Sequence, residues 1–158
     1  MTNLYMVMVG SGPMENELRD LIAECGLSQH VIRLGTLENS RLPALYNGAL
    51  FGVISSREEG FGAVALEFNI MRKAVIAFAV GGLKESILDG FNGILIPSQN
   101  IDIMAEKMDY LLDNPKTSQQ MGLNGHQRVL DHFTLSNTKN RYDELLRELI
   151  RPAKSKGN

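Results

Sequence analysis

Five short apolar runs constrain this chain more than any other feature. They are Leu4–Val9, Val31–Gly35, Leu50–Ser55, Ala74–Ala79 and Asn92–Ile96. Each is too short for a buried helix and ends at or near a glycine, serine or proline, so each reads as a strand; Leu4–Val9 in particular reads as buried on both faces. Between them the spacing becomes helical. Leu18, Leu21, Ile22 and Cys25 share one face, with Pro13 expected at the first helical position and Gly26 as the stop. Leu42, Leu45, Tyr46 and Ala49 predict a second helix, Gly62 to about Met71 a third, and a short one runs from Gly81-Gly82 to Leu88. Past Pro97 only helices are expected: Met104, Met108, Leu111 and Leu112 before Pro115, a weaker polar helix over Thr117–His132, and a last one capped by Thr134 with Tyr142, Leu145, Leu146 and Leu149 as its stripe. The methionines Met104, Met108 and Met121 read as core filler. Strands alternating with helices predict an α/β fold: a parallel sheet of about five strands flanked by helices, with extra C-terminal helices. One domain over 1–150 and a flexible tail over 151–158 are expected.

Bulk properties narrow the function classes. The 158 residues carry 16 basic and 18 acidic side chains, which gives no support to a nucleic-acid or membrane-surface role. The single cysteine, Cys25, excludes an intrachain disulfide framework and points to a reducing compartment, so a cytoplasmic location is expected. Met1-Thr2-Asn3 leads almost directly into a strand, so no signal peptide is expected, and no apolar run approaches the roughly 20 residues of a membrane span. Attachment to a membrane through a partner is compatible with this. His30, His126 and His132 lie apart and no cluster has metal-ligand spacing, so no metal is expected. Ser55 and Ser56 lack the G-x-S-x-G context of a hydrolase elbow.

Three glycine-bearing turns follow strands, and in a parallel sheet such turns gather where ligands bind. The first, Gly10-Ser11-Gly12-Pro13, lacks the third glycine of a dinucleotide fingerprint, because residue 15 is Glu15; a simple turn and a ligand contact both stay open, and a hydride-transfer enzyme is disfavoured. The second, Glu59-Gly60-Phe61-Gly62, opens a helix whose free N–H groups and dipole would suit an anion. Glu67 sits eight residues beyond Glu59, in the second helical turn, roughly 7 Å along at about 1.5 Å per residue. A phosphate between two hydroxyl-bearing ends fits that spacing, as in a nucleotide sugar. The bland alternative is a glycine-shaped turn with solvated glutamates, but Leu66 and Phe68 flank Glu67 and ask for a partner. The third turn, Gly81-Gly82 with Lys84 and Glu85, is either a tight turn or a phosphate or sugar contact.

From Leu4 to Leu149 the chain resembles the C-terminal, donor-binding domain of the family 4 retaining glycosyltransferases, half of a GT-B fold built from Rossmann-like domains. Leu4 to Pro13 is similar to that family's strand ending in G-x-G-P. Ser56-x-x-Glu59-Gly60-Phe61-Gly62 with Glu67 is similar to its E-x7-E signature, and Gly81-Gly82, Asp89-Gly90 and Asn92-Gly93 also match. The resemblance implies a sugar contact for Glu59, the catalytic candidate, and a ribose contact for Glu67. It implies a base cradle at Thr36, Leu37 and Asn39, diphosphate contacts from the backbone near Gly62, Ala63 and Val64, and donor contacts at Gly60 and Phe61. Gly10, Gly12, Gly81 and Gly82 complete the implied donor site. No cofactor or metal is implied; a nucleoside-diphosphate sugar is the donor substrate.

Two local departures from the family pattern stand out. Phe68-Asn69 occupies positions where small residues are usual, and Arg72-Lys73-Ala74 replaces a glycine-to-proline helix stop. A larger one is that the family's domain has one more βα unit before the first strand read here, whose loop supplies an Arg and a Lys. That unit's strand is central, so a gap is expected between Leu4–Val9 and Leu50–Ser55. The implied function is the donor-binding half of an enzyme moving a hexose to an acceptor hydroxyl, inactive without an acceptor-binding N-terminal domain or subunit. The alternative is a non-catalytic subunit or truncated domain acting as a partner-binding scaffold.

Overall fold

The computed structural model describes residues 4–97 and 99–150. The chain divides after Ala44 into two compact units, Met1–Ala44 and Leu45–Asn158. The expected tail, 151–158, lies outside the described residues.

In the first unit, β1 (Met6–Met8) pairs in parallel with β2 (Val31–Arg33), with Met6 opposite Val31, and α1 (Glu15–Glu24) connects them. Helix α1 carries Glu15 and Glu17 in its first turn, where the dipole favours carboxylates, and Gly26 takes a left-handed φ of 69° just past its end. The helix starts two residues after Pro13, so Pro13 belongs to the preceding turn and not to the first helical position. A larger correction concerns burial. The run Leu4–Val9 is not sandwiched: Tyr5 and Val7 are 52% and 46% exposed, and none of residues 4–44 is buried. The physical reason is that β1 has a ladder partner on one side only. A strand is covered on both faces only inside a sheet with neighbours and helices around it.

The second unit holds the core. Strands β3 (Gly52–Ile54), β4 (Val75–Phe78) and β5 (Gly93–Ile96) form a parallel sheet in that order, with Gly52 opposite Val75 and Val75 opposite Gly93. Side chains on β4 alternate between two clusters, as strand periodicity requires. Val75 and Ala77 pack with Ala65, Leu83 and Ile87 from α3 (Ala63–Ile70) and the α4 segment (Leu83–Ser86 and the residue after it). Ile76 and Phe78 pack with Met104 and Leu111 of α5 (Ile101–Asp113) and Met121 of α6 (Pro115–His132). All four β4 residues are buried. The last helix, α7 (Leu135–Ile150), starts where Thr134 Oγ1 accepts the Asn137 amide at 3.2 Å, as expected of a cap. It leaves Leu135, Tyr142, Leu145, Leu146 and Leu149 exposed.

The five expected strands are thus all present, but they form two sheets, each parallel within itself. Among the described residues β1 pairs only with β2 and β3 only with β4, so no ladder joins β1 to β3. Helix α6 is longer and better buried than its polar sequence predicts. Gly122 and Gly125 let it approach α3 closely; a Cβ on Gly125 would lie 2.5 Å from Asn69 Cγ. Among the described residues no helix is long and apolar enough to cross a membrane.

Candidate donor site

The second-unit site is built from two loops at the carboxyl ends of β3 and β4. The first runs from Glu59 to Gly62 and the second holds Gly81 and Gly82. Their backbones touch: the Gly82 amide donates to the Glu59 carbonyl at 3.1 Å. Both glycines are required by that approach. A Cβ on Gly82 would lie 2.5 Å from both the Gly60 oxygen and Phe61 Cα, and one on Gly81 would overlap the Glu59 carbonyl. Ser86 adds a second tie, donating from Oγ to the Phe61 carbonyl at 2.8 Å.

Glu59 is partly buried and turns its Oε1 onto the Gly62 amide at 3.3 Å. Gly62 adopts φ 80°, which a glycine takes without strain, and α3 begins with no side-chain cap and no acidic residue in its first turn. The Ala63 and Val64 amides have no acceptor among the described residues, whereas Ala65 bonds back to the Gly62 carbonyl. In the second loop the amides of Gly82, Leu83, Lys84 and Glu85 are all engaged with the backbone, and only the Gly81 amide is without an acceptor among the described residues. The third expected turn therefore joins the site through Gly81 and through loop packing. Its α4 helix is a single turn.

Glu67 is exposed on α3, but it has the partner its apolar flanks call for. Tyr46, on α2 (Leu42–Gly48), donates its phenol to Glu67 Oε2 at 2.7 Å, and its ring packs on Phe68 with centroids 4.4 Å apart. Burial first, then the hydrogen bond to Glu67 and its charge, push the Tyr46 phenol well above its ordinary value. Tyr46 thus stays a proton donor. Sequence reading placed it only on the apolar stripe of its helix; its one available signal was the polar tip of a Tyr ending such a stripe.

A buried amide pair anchors the frame behind these groups. Asn69 and Asn92 are fully buried. Asn92 Nδ2 donates to Asn69 Oδ1 at 2.7 Å, and Asn69 Nδ2 donates to the carbonyls of Lys73 (2.9 Å) and Asn92 (3.1 Å). Asn92 Oδ1 accepts the Leu88 amide, and its Nδ2 also reaches the Ser86 carbonyl at 3.0 Å. Phe68, the other unexpected residue, covers Gly52 of β3; a Cβ there would meet its ring at 2.6 Å. Arg72 takes the left-handed conformation, φ 59°, that a glycine would take at this helix end.

The remaining expected residues lie in the first unit. Gly10 donates to the Gly35 carbonyl at 2.8 Å, and Ser11 Oγ meets Thr36 Oγ1 at 2.8 Å, so the turns after β1 and β2 are tied together. Gly10 and Gly12 border an open hollow of about 600 Å³ against α1. Leu37 is half-buried, and Asn39 is exposed at the start of a 3₁₀ turn, Asn39–Arg41. Among the described residues no group of three or more His, Cys, Asp or Glu could hold a metal ion.

Parallel strands, flanking helices and a strand–glycine loop–helix unit define a Rossmann-like α/β class. Comparison with known proteins makes this specific. The sequence pattern of the family described as glycosyl transferases group 1 matches residues 1–128, and the chain belongs to that family. It is 30% identical over 143 residues to alpha-D-kanosaminyltransferase of Streptomyces kanamyceticus, covering 90% of this chain and 37% of that protein. It is 28% identical over 148 residues to the GDP-mannose-dependent alpha-(1-6)-phosphatidylinositol monomannoside mannosyltransferase of Mycolicibacterium smegmatis, covering 89% and 39%. Among solved structures it matches sucrose-phosphate synthase from Thermosynechococcus elongatus with a TM-score of 0.81 and 29% identity, over 90% of this chain and 38% of that one. The fold is that of half a GT-B glycosyltransferase. The chain spans less than two fifths of the length of these relatives.

Proposed function

We propose that this chain is the donor-binding half of a retaining glycosyltransferase that moves a hexose from a nucleoside-diphosphate sugar to an acceptor hydroxyl. The observation that carries the reading is the paired-loop site. Two carboxylates, Glu59 and Glu67, flank an uncapped helix start whose Ala63 and Val64 amides lack acceptors among the described residues. Uncommitted amides at a helix start suit a diphosphate. Carboxylates on either side suit the hydroxyls of the sugar and the ribose. Gly62's amide is already taken by Glu59, so the diphosphate falls to Ala63, Val64 and the Gly81 amide. The family resemblance also assigns donor contacts to Gly10, Gly12, Thr36, Leu37 and Asn39 of the first unit.

Such a site accelerates transfer by holding the donor in line and stabilising the negative charge that grows on the leaving diphosphate. Hydrogen-bond donors supply that stabilisation in this half, with no metal and no cofactor. The acceptor wall belongs to another domain or subunit, since the chain spans 37% and 39% of two sugar-transferring relatives. Residues 1–150 act as the nucleotide-sugar domain. The dependence of the Mycolicibacterium smegmatis relative on GDP-mannose supports a nucleotide-linked donor.

Calorimetric titration of the whole chain with UDP, GDP and ADP tests this. One of the three should bind, and Glu67→Ala should weaken it by about 10- to 100-fold, the loss of a hydrogen bond to a charged group worth about 1.5–3 kcal/mol. A well-folded chain that ignores all three would refute the donor reading and favour a partner-binding scaffold.

A further inference from the structure

Resting on that reading, we propose that Tyr46 is a positioning residue of the donor site, which holds the Glu67 carboxylate for the ribose diol of a nucleoside diphosphate. Three observations carry it. The phenol oxygen is 2.7 Å from Glu67 Oε2, the usual length of a well-formed O–H···O bond. The Tyr46 ring is itself fixed by Phe68, the next residue after Glu67, at 4.4 Å between centroids and 53° between planes. Glu67 Oε1 has no partner among the described residues, so one oxygen is tethered and the other is left to accept.

The physics is one of preorganisation. An exposed glutamate on a helix samples several rotamers, and a ligand that needs one of them must stop that motion on binding. Here the folded chain has already stopped it. The neutral phenol can only donate to the carboxylate, so Glu67 is kept as an acceptor facing a ligand that must itself donate. A ribose 2′,3′-diol donates; a dideoxyribose does not. Tyr46 therefore contributes to selectivity for ribose, acting through Glu67 and not by touching the ligand. The anchoring is also lopsided along the chain: Tyr46 precedes β3 and Glu67 follows it, so their contact ties α2 to α3 across that strand.

The test compares Tyr46→Phe with the unchanged chain. This variant keeps the ring on Phe68 and removes only the hydroxyl. UDP, GDP and ADP are each titrated beside their 2′,3′-dideoxy counterparts, with amide spectra as the control for folding. The unchanged chain should prefer the ribonucleotide, and Tyr46→Phe should shrink that preference about five- to tenfold while leaving dideoxynucleotide affinity within twofold. In a Glu67→Gln background the same substitution should change the ratio less than twofold, because the carboxylate it positions is gone. A fall in both affinities with the ratio unchanged would make Tyr46 merely structural and overturn the proposal while leaving the donor reading intact. A chain that binds ribo- and dideoxynucleotides alike, or neither, would remove the role of Glu67 itself and the proposal with it.

Discussion

Replacing Asn69 by leucine, which has nearly its shape, isolates what the buried amide pair does for the site. The substitution removes three hydrogen bonds: two donated by Asn69 Nδ2 to the carbonyls of Lys73 and Asn92, and one accepted by Oδ1 from Asn92 Nδ2. The Lys73 and Asn92 carbonyls lose their amide donor, and Asn92 Nδ2 keeps only its bond to the Ser86 carbonyl, around a side chain with 0% exposure. Each orphaned buried group costs about 1–3 kcal/mol. Some relaxation of the turn before β5 toward water keeps the sum near the lower end, about 3–5 kcal/mol. With a urea slope of about 2 kcal/mol per molar, the unfolding midpoint should fall by about 2 M. Circular dichroism during a urea titration reads this directly. Pairing the change with Asn92→Leu should cost at least about 1 kcal/mol less than the two single changes added together, since they break one shared bond. An Asn69→Leu midpoint within about 0.3 M of the unchanged chain would refute the reasoning, and the network would be an ornament of the fold.

Three other outcomes follow from the geometry. Arg72→Gly should stabilise the second unit by about 1 kcal/mol, because Arg72 sits at φ 59° where a side chain is strained; a chemical-denaturation midpoint that falls would contradict this. Gly82→Ala should separate the two site loops, since its Cβ would lie 2.5 Å from Gly60 and Phe61 backbone atoms, and should lower both the thermal midpoint and nucleotide affinity. The raised Tyr46 phenol gives a pH signature. Its folded-state value lies above the ordinary 10.0, so its contribution is complete below pH 10 and is lost as pH rises beyond it. The stability difference between the unchanged chain and Tyr46→Phe should therefore narrow as pH rises above 10, by no more than about 1.4 kcal/mol per pH unit and less for a phenol near solvent. A difference that is flat with pH would contradict it.

Much of this fold was legible because its signals are local. The strand runs, the Gly26 stop, the Thr134 cap and the break before Pro115 each depend on a few adjacent residues, and the structure follows them. The division of the strands into two ladders was expected for a different reason, the resemblance to a family whose domain has one more βα unit before the first strand read here. What failed was burial. The sequence of Leu4–Val9 is that of a covered strand, but cover comes from neighbours, and β1 has only β2. Phe68 and Asn69 looked like intrusions because their partners, Gly52 and Asn92, lie 16 and 23 residues away. The polar reading of α6 missed that Gly122 and Gly125 are contact residues whose value is their lack of a side chain. In the site, Glu59, Gly62 and Glu67 could be named from one contiguous stretch. Tyr46 could not, because its link to Glu67 crosses 21 residues and an intervening strand.

The measurement closest to the central claim is an amide NMR titration of the chain with UDP, GDP and ADP, with the shifts mapped onto the sequence. The account predicts that one nucleotide moves the Gly60, Phe61, Ala63, Val64 and Gly81 amides, where unengaged donors meet, and that Glu67→Ala abolishes most of the movement at the same ligand concentration. A dispersed spectrum in which these amides stay still, or in which the shifts are unchanged by Glu67→Ala, would contradict a donor site built on the two loops.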